Sequence, residues 1–461
     1  MTVKSLIRNK RCIFIFALLA IAEVSPEDQV AEECDAKNGP LAKLRENSAK
    51  LNSLVEKHIC KMTEAQDTNV TNANTKDKDT AKSGSCNSDF EQVPERSKRI
   101  VVCNVHSGNI DGEFKMEHIS ETLCTHVLIS GFYEVKVDTL EITGKKLENY
   151  TITDLMTYLK SKKLKVWLSI GADGTLEPKD YSTLATTEES RTKFIKNVMG
   201  ILVALGMDGF SPRWRYPVCI YEDCYKPKMV DSENSVRLIE SLSAQLRPKG
   251  LSLVIYTTKS FMYSTMFKFK SLTKFVDYWL IVCYNNRGHW DPIAGESSSI
   301  KFLDQCLGWY RAAIQSETAI LGLAPHYLPL KLMNSKSNKL GANIMKDTKG
   351  NATLNSFRNI CNAVTTFGGK LVYNESSGNN AYWTKDSDWV SIETTATVRQ
   401  KMEFVTKYNL SGVFLEHLRD DDFDGTMCKC GKYPVLRTMN EEIRGSRRCF
   451  VPLCPTAKPT E

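Results

Sequence analysis

"GMDGFSPRWRYP", residues Gly206–Pro217, runs from an apolar lead-in through a glycine to Ser211, Arg213 and Arg215 at alternate positions, and closes on an aromatic and a proline. Residues two apart on a strand share a face, so these three side chains are expected to leave one strand end together. The stretch before it, "SRTKFIKNVMGILVAL", has helical apolar spacing, which makes the whole a helix feeding a short buried strand. The same grammar repeats from Ile100 onward. Strand-like runs are "RIVVC", "THVLIS", "KVWLSI", "GMDGF", "LSLVIY", "VDYWLIVCY", "AILGLA" and "SGVFLE"; helical segments such as "ITDLMTYLKSKK", "SVRLIESLSAQL", "KFLDQCLGWYRAAI" and "TVRQKMEFVTKY" fall between most of them. Eight strands alternating with helices predict an α/β fold, the closed (β/α)8 TIM barrel, over residues 99–440. The long interval between the last two strands predicts an α+β insertion subdomain between strands 7 and 8, at roughly 330–395, and residues 441–461 form a C-terminal tail.

The chain has 461 residues, of which 42% are hydrophobic and 25% charged, a globular composition. Its net charge of +7 is spread thinly, with no basic block interleaved with aromatics, which argues against a nucleic-acid partner. Lys4, Arg8, Lys10 and Arg11 precede the apolar run "CIFIFALLAIA", which ends at Ala20-Ile21-Ala22. That is the pattern of a secretory signal over residues 1–22; the alternative is an uncleaved membrane anchor through residues 12–22. Loss of Cys12 with the signal leaves an even 14 of the 15 cysteines, as expected of a chain that enters an oxidising compartment. Asn69, Asn149, Asn351, Asn374 and Asn409 each begin a glycosylation sequon. Residues 23–98 read as a low-complexity linker with one short amphipathic helix around Leu41–Val55, and "RSKR" at its end is a candidate processing site.

"DGFSPRWRYP" resembles the signature of glycoside hydrolase family 18, the chitinases, which runs D-G-x-D-x-D-W-E-Y-P at the end of the fourth barrel strand; Asp208, Gly209, Trp214, Tyr216 and Pro217 match. "VWLSIGADG" resembles the family's third-strand segment, "CYNNRGHW" its sixth-strand motif, and "DDFDGTMCKCGKYPVL" its C-terminal block. The long linker and eroded motifs look most like nematode chitinase-like proteins. The resemblance implies disulfides Cys103–Cys124 and Cys361–Cys428. Sequence proximity suggests Cys219–Cys224 and Cys449–Cys454, Cys283 reads as a packed thiol inside a strand, and Cys34, Cys60, Cys86, Cys306 and Cys430 are left unassigned.

Family 18 enzymes use the substrate's acetamide as nucleophile and a protein carboxylic acid as proton donor. By resemblance the acid position here is Arg215, the acetamide-orienting position Arg213, and the next carboxylate back Ser211. A guanidinium has essentially no neutral population at neutral pH and cannot do general-acid work. Hence no catalytic residue is expected, and the remaining enzymatic reading is a relocated acid at Glu222 or Asp223.

The family's stacking aromatics are thinned as well. The eighth-strand Trp position reads Glu416, the third-strand position Asp173, the first-strand position Gly108, and the second-strand position Gly131, with Phe132 beside it as a substitute. Tyr284 and Trp290 survive, and the Asp beside Tyr284 has become Asn285. Tyr284, Trp290, Asn285 and Glu416 are therefore the candidate ligand-binding residues.

Strands four and eight face each other, so Glu416 is expected to pair with Arg213 or Arg215; a positive mouth for an anionic ligand is the competing arrangement. His106, His126, His289 and His326 show no metal-ligand spacing, so neither metal nor cofactor is expected. The sequence thus predicts a secreted, glycosylated, inactive chitinase-like protein. Its partner is chitin or a chito-oligosaccharide bound in lectin fashion, or alternatively another protein.

Overall fold

A computed structural model describes residues 99–444 and 454–455, apart from residue 111 and the stretches 148–149, 172–174, 219–227, 258–267 and 375–379. All of them fall in the second of the two units into which the chain divides, Cys86–Glu461. The signal segment, the linker, Asn69, Asn149, Asp173, Cys219, Glu222, Asp223, Cys224 and Cys449 lie outside the described residues.

Eight parallel strands close into a barrel: β1 (Ile100–His106), β2 (His126–Ser130), β3 (Lys165–Ile170), β4 (Gly209–Pro212), β5 (Ser252–Tyr256), β6 (Tyr278–Ile281), β7 (Ala319–Leu323) and β8 (Gly412–Leu415). Each falls within or across one of the eight apolar runs. Around them lie α1 (Ile152–Ser161), α2 (Glu188–Leu205), α3 (Val230–Leu246), α4 (Ile300–Arg311), α5 (Thr395–Lys407) and α6 (Pro434–Arg444). The junction of α2 and β4 shows how locally the fold is written. Thr187 caps the first turn of α2 by accepting from the Ser190 amide, and Gly206 ends the helix at φ 58°, a left-handed conformation that glycine adopts without Cβ strain.

Strand alternation sorts side chains into two cores. Val102, Leu128, Trp167, Val254, Leu280, Ile320 and Phe414 fill the barrel axis, while Val101, Val127, Leu168, Phe210, Ile255, Ile281, Leu321 and Val413 pack outward in the larger core. The β4 share of the inner layer is Gly209. A Cβ there would stand 2.7 Å from Trp167 Cδ1 and 2.5 Å from the Ser252 carbonyl oxygen, so the indole fills the space that a larger residue would need. Asp208 ties the same strand down, its Oδ2 accepting from the Val166 amide at 2.9 Å.

Between β7 and β8 the chain builds a five-stranded antiparallel sheet, in the order Ile344–Lys349, Leu330–Leu332, Asp388–Ile392, Asn380–Lys385 and Lys370–Asn374, together with the helix Phe357–Asn362. Ala294, Leu330, Leu332, Ala342, Ile344 and Trp389 make its own small core. Among the described residues no helix is long and apolar enough to cross a membrane.

Disulfides Cys103–Cys124 and Cys361–Cys428 are present. Two expectations fail. Cys283 is no packed thiol but bonds Cys306: it shares the outward face of its strand with Trp279 and Ile281, and Cys306 lies on the buried stripe of α4 with Leu303 and Leu307. Cys454 bonds Cys430 rather than Cys449. The tail is held at the start of α5, where Cys454 donates to Thr395 Oγ1 at 3.0 Å and its carbonyl accepts from the Thr395 amide at 2.9 Å. This anchorage, and not closeness in sequence, decides the partner.

The Cys283–Cys306 bridge closes a loop with a sequence separation of 23. Chain entropy alone makes such a loop worth about 3 kcal/mol. The Cys283→Ser/Cys306→Ser variant should lose roughly that much in denaturant unfolding, with the far-ultraviolet spectrum unchanged.

Candidate functional site

The C-terminal mouth of the barrel is organised around one carboxylate. Glu416 follows β8, its amide donating to the Leu323 carbonyl at 2.9 Å, and its side chain is 1% exposed. Its Oε1 accepts from Arg213 Nη2 at 2.9 Å and from Asn104 Nδ2 at 3.0 Å. Its Oε2 accepts from the Tyr284 hydroxyl at 3.1 Å and the Tyr256 hydroxyl at 3.3 Å. The Arg213 guanidinium, with the side chain 10% exposed, lies over the Tyr256 ring at 4.3 Å, an arrangement that adds cation–π attraction. Burial, the largest single influence, pushes the Glu416 carboxyl upward, but the Arg213 charge, the hydrogen bond Arg213 donates and the other groups around the carboxylate together outweigh it, and the group is held at about 2. Burial and the Glu416 charge raise the Tyr284 hydroxyl well above 10, so it stays a donor.

The signature residues divide into frame and mouth. Asp208 and Gly209 hold β4 to its neighbours as described above. Trp214 packs outward on Tyr181 at 5.6 Å with ring planes 13° apart, and the Tyr181 hydroxyl donates to the Ile170 carbonyl at 2.5 Å. Ser211 and Arg213 share the Gly209 face and point into the barrel, whereas Arg215 is exposed. In the registers Ser130↔Ser169 and Ser169↔Ser211, three serines line up across β2, β3 and β4. All three are buried, and their hydroxyls have no partner among the described residues. None of Ser211, Arg213 and Arg215 offers a carboxyl, and Glu416, which pairs with Arg213, is ionised with four donors already on it.

The other candidates are placed unequally. Asn285 Nδ2 lies 2.6 Å from His326 Nε2, and Asn285 Oδ1 accepts from Ser297 Oγ at 3.0 Å. Burial pushes His326 down to about 3, so its ring is neutral, and it stands 5.2 Å from the His417 ring. Tyr284, Asn285 and Glu416 are thus engaged with the protein itself. Trp290 is the exposed member at 38%. It lies within a turn in which the Asp291 amide donates to the Gly288 carbonyl at 3.0 Å and Asp291 Oδ2 accepts from the Gly288 amide at 2.9 Å. The indole sits so close over Gly288 that a Cβ there would be 2.5 Å from the ring.

Phe132 does not substitute for the second-strand aromatic, because it points outward into the larger core. No side chain fits at Gly131 either, since a Cβ would lie 2.4 Å from His106 Nε2. Asn104, Tyr256 and His417 escaped the sequence reading, and His326 entered it only as a histidine without metal-ligand spacing. Strand alternation was the available signal for two of them: Asn104 is two beyond Val102 on β1 and Tyr256 two beyond Val254 on β5. Asn351 and Asn409 are exposed, as a sequon requires, and Asn374 ends a strand of the inserted sheet.

A closed parallel barrel with a β-rich insertion before its last strand, and a mouth built where β4, β6 and β8 end, defines the structural class. Residues 100–421 match the family model for glycosyl hydrolases family 18, and the chain belongs to that family. It is similar to probable chitinase 10 of Drosophila melanogaster, 26% identical over 356 residues that cover 72% of this chain but only 15% of that much longer protein. Among solved structures it resembles catalytic domain 2 of the Group II chitinase of Ostrinia furnacalis, with a TM-score of 0.70 at 24% identity, covering 78% of this chain and 99% of that one. Human YKL-39, described as a pseudo-chitinase with retained chitooligosaccharide binding properties, superposes with a TM-score of 0.65 at 20% identity, covering 75% and 99%.

Removing one partner of a buried pair strands the other charge, at a cost of about 3 kcal/mol or more, whereas replacing both by apolar groups is often neutral. Glu416→Gln should therefore destabilise the barrel by about that amount, and Arg213→Met/Glu416→Leu should recover most of it. The depressed carboxyl also fixes a pH dependence: its stabilisation is complete above an ordinary 4.5 and lost as pH falls toward about 2. Chemical denaturation between pH 6 and pH 2 should show this acid loss in the parent and a shallower one in the double variant.

Proposed function

We propose that the protein is a secreted, catalytically inactive chitinase-like barrel that binds chitin or chito-oligosaccharides through the rim of its mouth. The observation that carries the reading is the Arg213–Glu416 pair at 2.9 Å. It occupies the place where a hydrolase would orient the acetamide, and it puts a cation where the oxocarbenium-like charge would develop. Arg215, at the acid position, has no proton to cycle at neutral pH. With Tyr284 and Asn285 tied inward, Trp290 is left as the stacking platform for a pyranose face. The N-terminal apolar segment, the bridges and the sequons support the secretory route, and the similarity to YKL-39 supports retained oligosaccharide binding without hydrolysis.

Purified full-length protein should release no product from chito-oligosaccharides; turnover abolished by Glu222→Gln would instead establish a relocated acid. The protein should be retained on chitin beads, and Trp290→Ala, by removing a stacking contact of about 1 kcal/mol or somewhat more, should weaken retention about tenfold. No retention of the parent would favour the protein-interaction role over the lectin.

A further inference from the structure

The outer edge of the inserted sheet carries a second surface, distinct from the mouth. Ile293 bridges Asn343 antiparallel, adding residues 292–294 alongside the edge strand. The Ala294 amide donates to the Ala342 carbonyl at 2.8 Å, the Ile344 amide to the Pro292 carbonyl at 3.1 Å, and, from the other side, the Met333 amide to the Asn343 carbonyl at 3.0 Å. Ala294, Leu332, Ala342 and Ile344 point into the small core around Trp389. Alternation then puts Ile293, Asn343, Met333 and Met345 together on the opposite face. Met333 is 65% exposed, Met345 43% and Ile293 37%, and Leu340 in the adjoining turn 46%. Four of the nine exposed large apolar side chains among the described residues thus share one strip, which is not the single scatter normal for a surface.

The border of this strip is basic. Residues 331–349 contain Lys331, Lys336, Lys339, Lys346 and Lys349 against a single acid, Asp347. Lys331 pairs with Asp388 at 3.2 Å; the other four lysines are exposed, with no ion pair among the described residues.

We propose that this face docks a partner protein through an acidic segment that carries apolar side chains. A neutral glycan would gain nothing from the lysines, and Ile293, Met333, Leu340 and Met345 offer it no aromatic ring. An anionic membrane would meet the lysines, but the strip residues Ile293, Met333, Leu340 and Met345 include no Trp or Phe anchor of the kind that interfacial segments carry. Two methionines at its centre supply the adaptable, polarizable contact that protein-binding surfaces use, and the lysine border favours an acidic partner by steering and charge complementarity.

The test uses full-length protein with methyl-labelled methionine and three probes. The first is an amphipathic peptide of about 16 residues with leucine on one helical face and glutamate on the other. The second is the same peptide with lysine for glutamate, and the third is a phosphatidylserine vesicle. The glutamate peptide should shift the Met333 and Met345 methyl signals and bind at least about tenfold tighter than the lysine peptide. Its affinity should fall about tenfold in Met333→Ser/Met345→Ser and weaken with added salt. Equal binding of the two peptides, full affinity in the double variant, or capture of vesicles alone would overturn the proposal. Met333→Ser/Met345→Ser should be retained on chitin beads as the parent is, which keeps this surface separate from the chitin-binding reading of the mouth.

Discussion

A carboxylate taken out of water must find donors, and Glu416 finds four. They come from β1, from the residue after β4, from β5 and from the segment after β6, so one side chain joins the ends of four strands across the barrel axis. The price of burying Arg213 and Glu416 is offset only because each meets the other and because the tyrosine and asparagine groups use the remaining lone pairs. Remove the guanidinium and an ionised carboxyl is left with three neutral donors; remove the carboxyl and the guanidinium loses its ion pair at 2.9 Å. The mouth is consistent as a whole or not at all.

That consistency separates two things the family signature usually carries together. Its frame serves the barrel: Asp208 accepts a β3 amide, Gly209 admits Trp167, and Trp214 stacks on Tyr181. These contacts do not depend on what the intervening positions hold, so they can persist whatever the mouth does. The intervening positions face the axis, where Ser211, Arg213 and the neighbouring serines make a different polar layer from the one three carboxylates would impose. A barrel with this frame keeps the family fold while serines and an arginine form the polar layer at its mouth.

Much of this was legible from periodicity. Each barrel strand appears in the sequence as a short apolar run, because both of its faces are buried. The expectation that Glu416 would meet an arginine followed from placing strands four and eight across the axis. The expectations that fail, Cys283 as a packed thiol, Cys454 with Cys449 and Phe132 as a stand-in aromatic, concern partners and faces that depend on how separate elements dock. Cys283 and Cys306 each sit on the buried stripe of a different element, and only the docking of α4 on β6 brings their sulfurs together. Cys454 was matched to a near neighbour, yet the α5 terminus carries it to Cys430. Phe132 is one residue from a useful position, and one residue along a chain is enough to reverse the face.

Local pattern and residue identity suffice for the barrel and the insertion, and for the expectation that Ser211, Arg213 and Arg215, none of them a carboxyl, leave one strand end together. Which arginine pairs with Glu416, that Tyr284 and Asn285 are spent inside the protein while Trp290 stays exposed, and that Met333, Met345 and Ile293 share a face were decided by tertiary structure alone. Hydrogen bonds and burial are set by distances between segments remote in the chain, and no pattern within one segment records them.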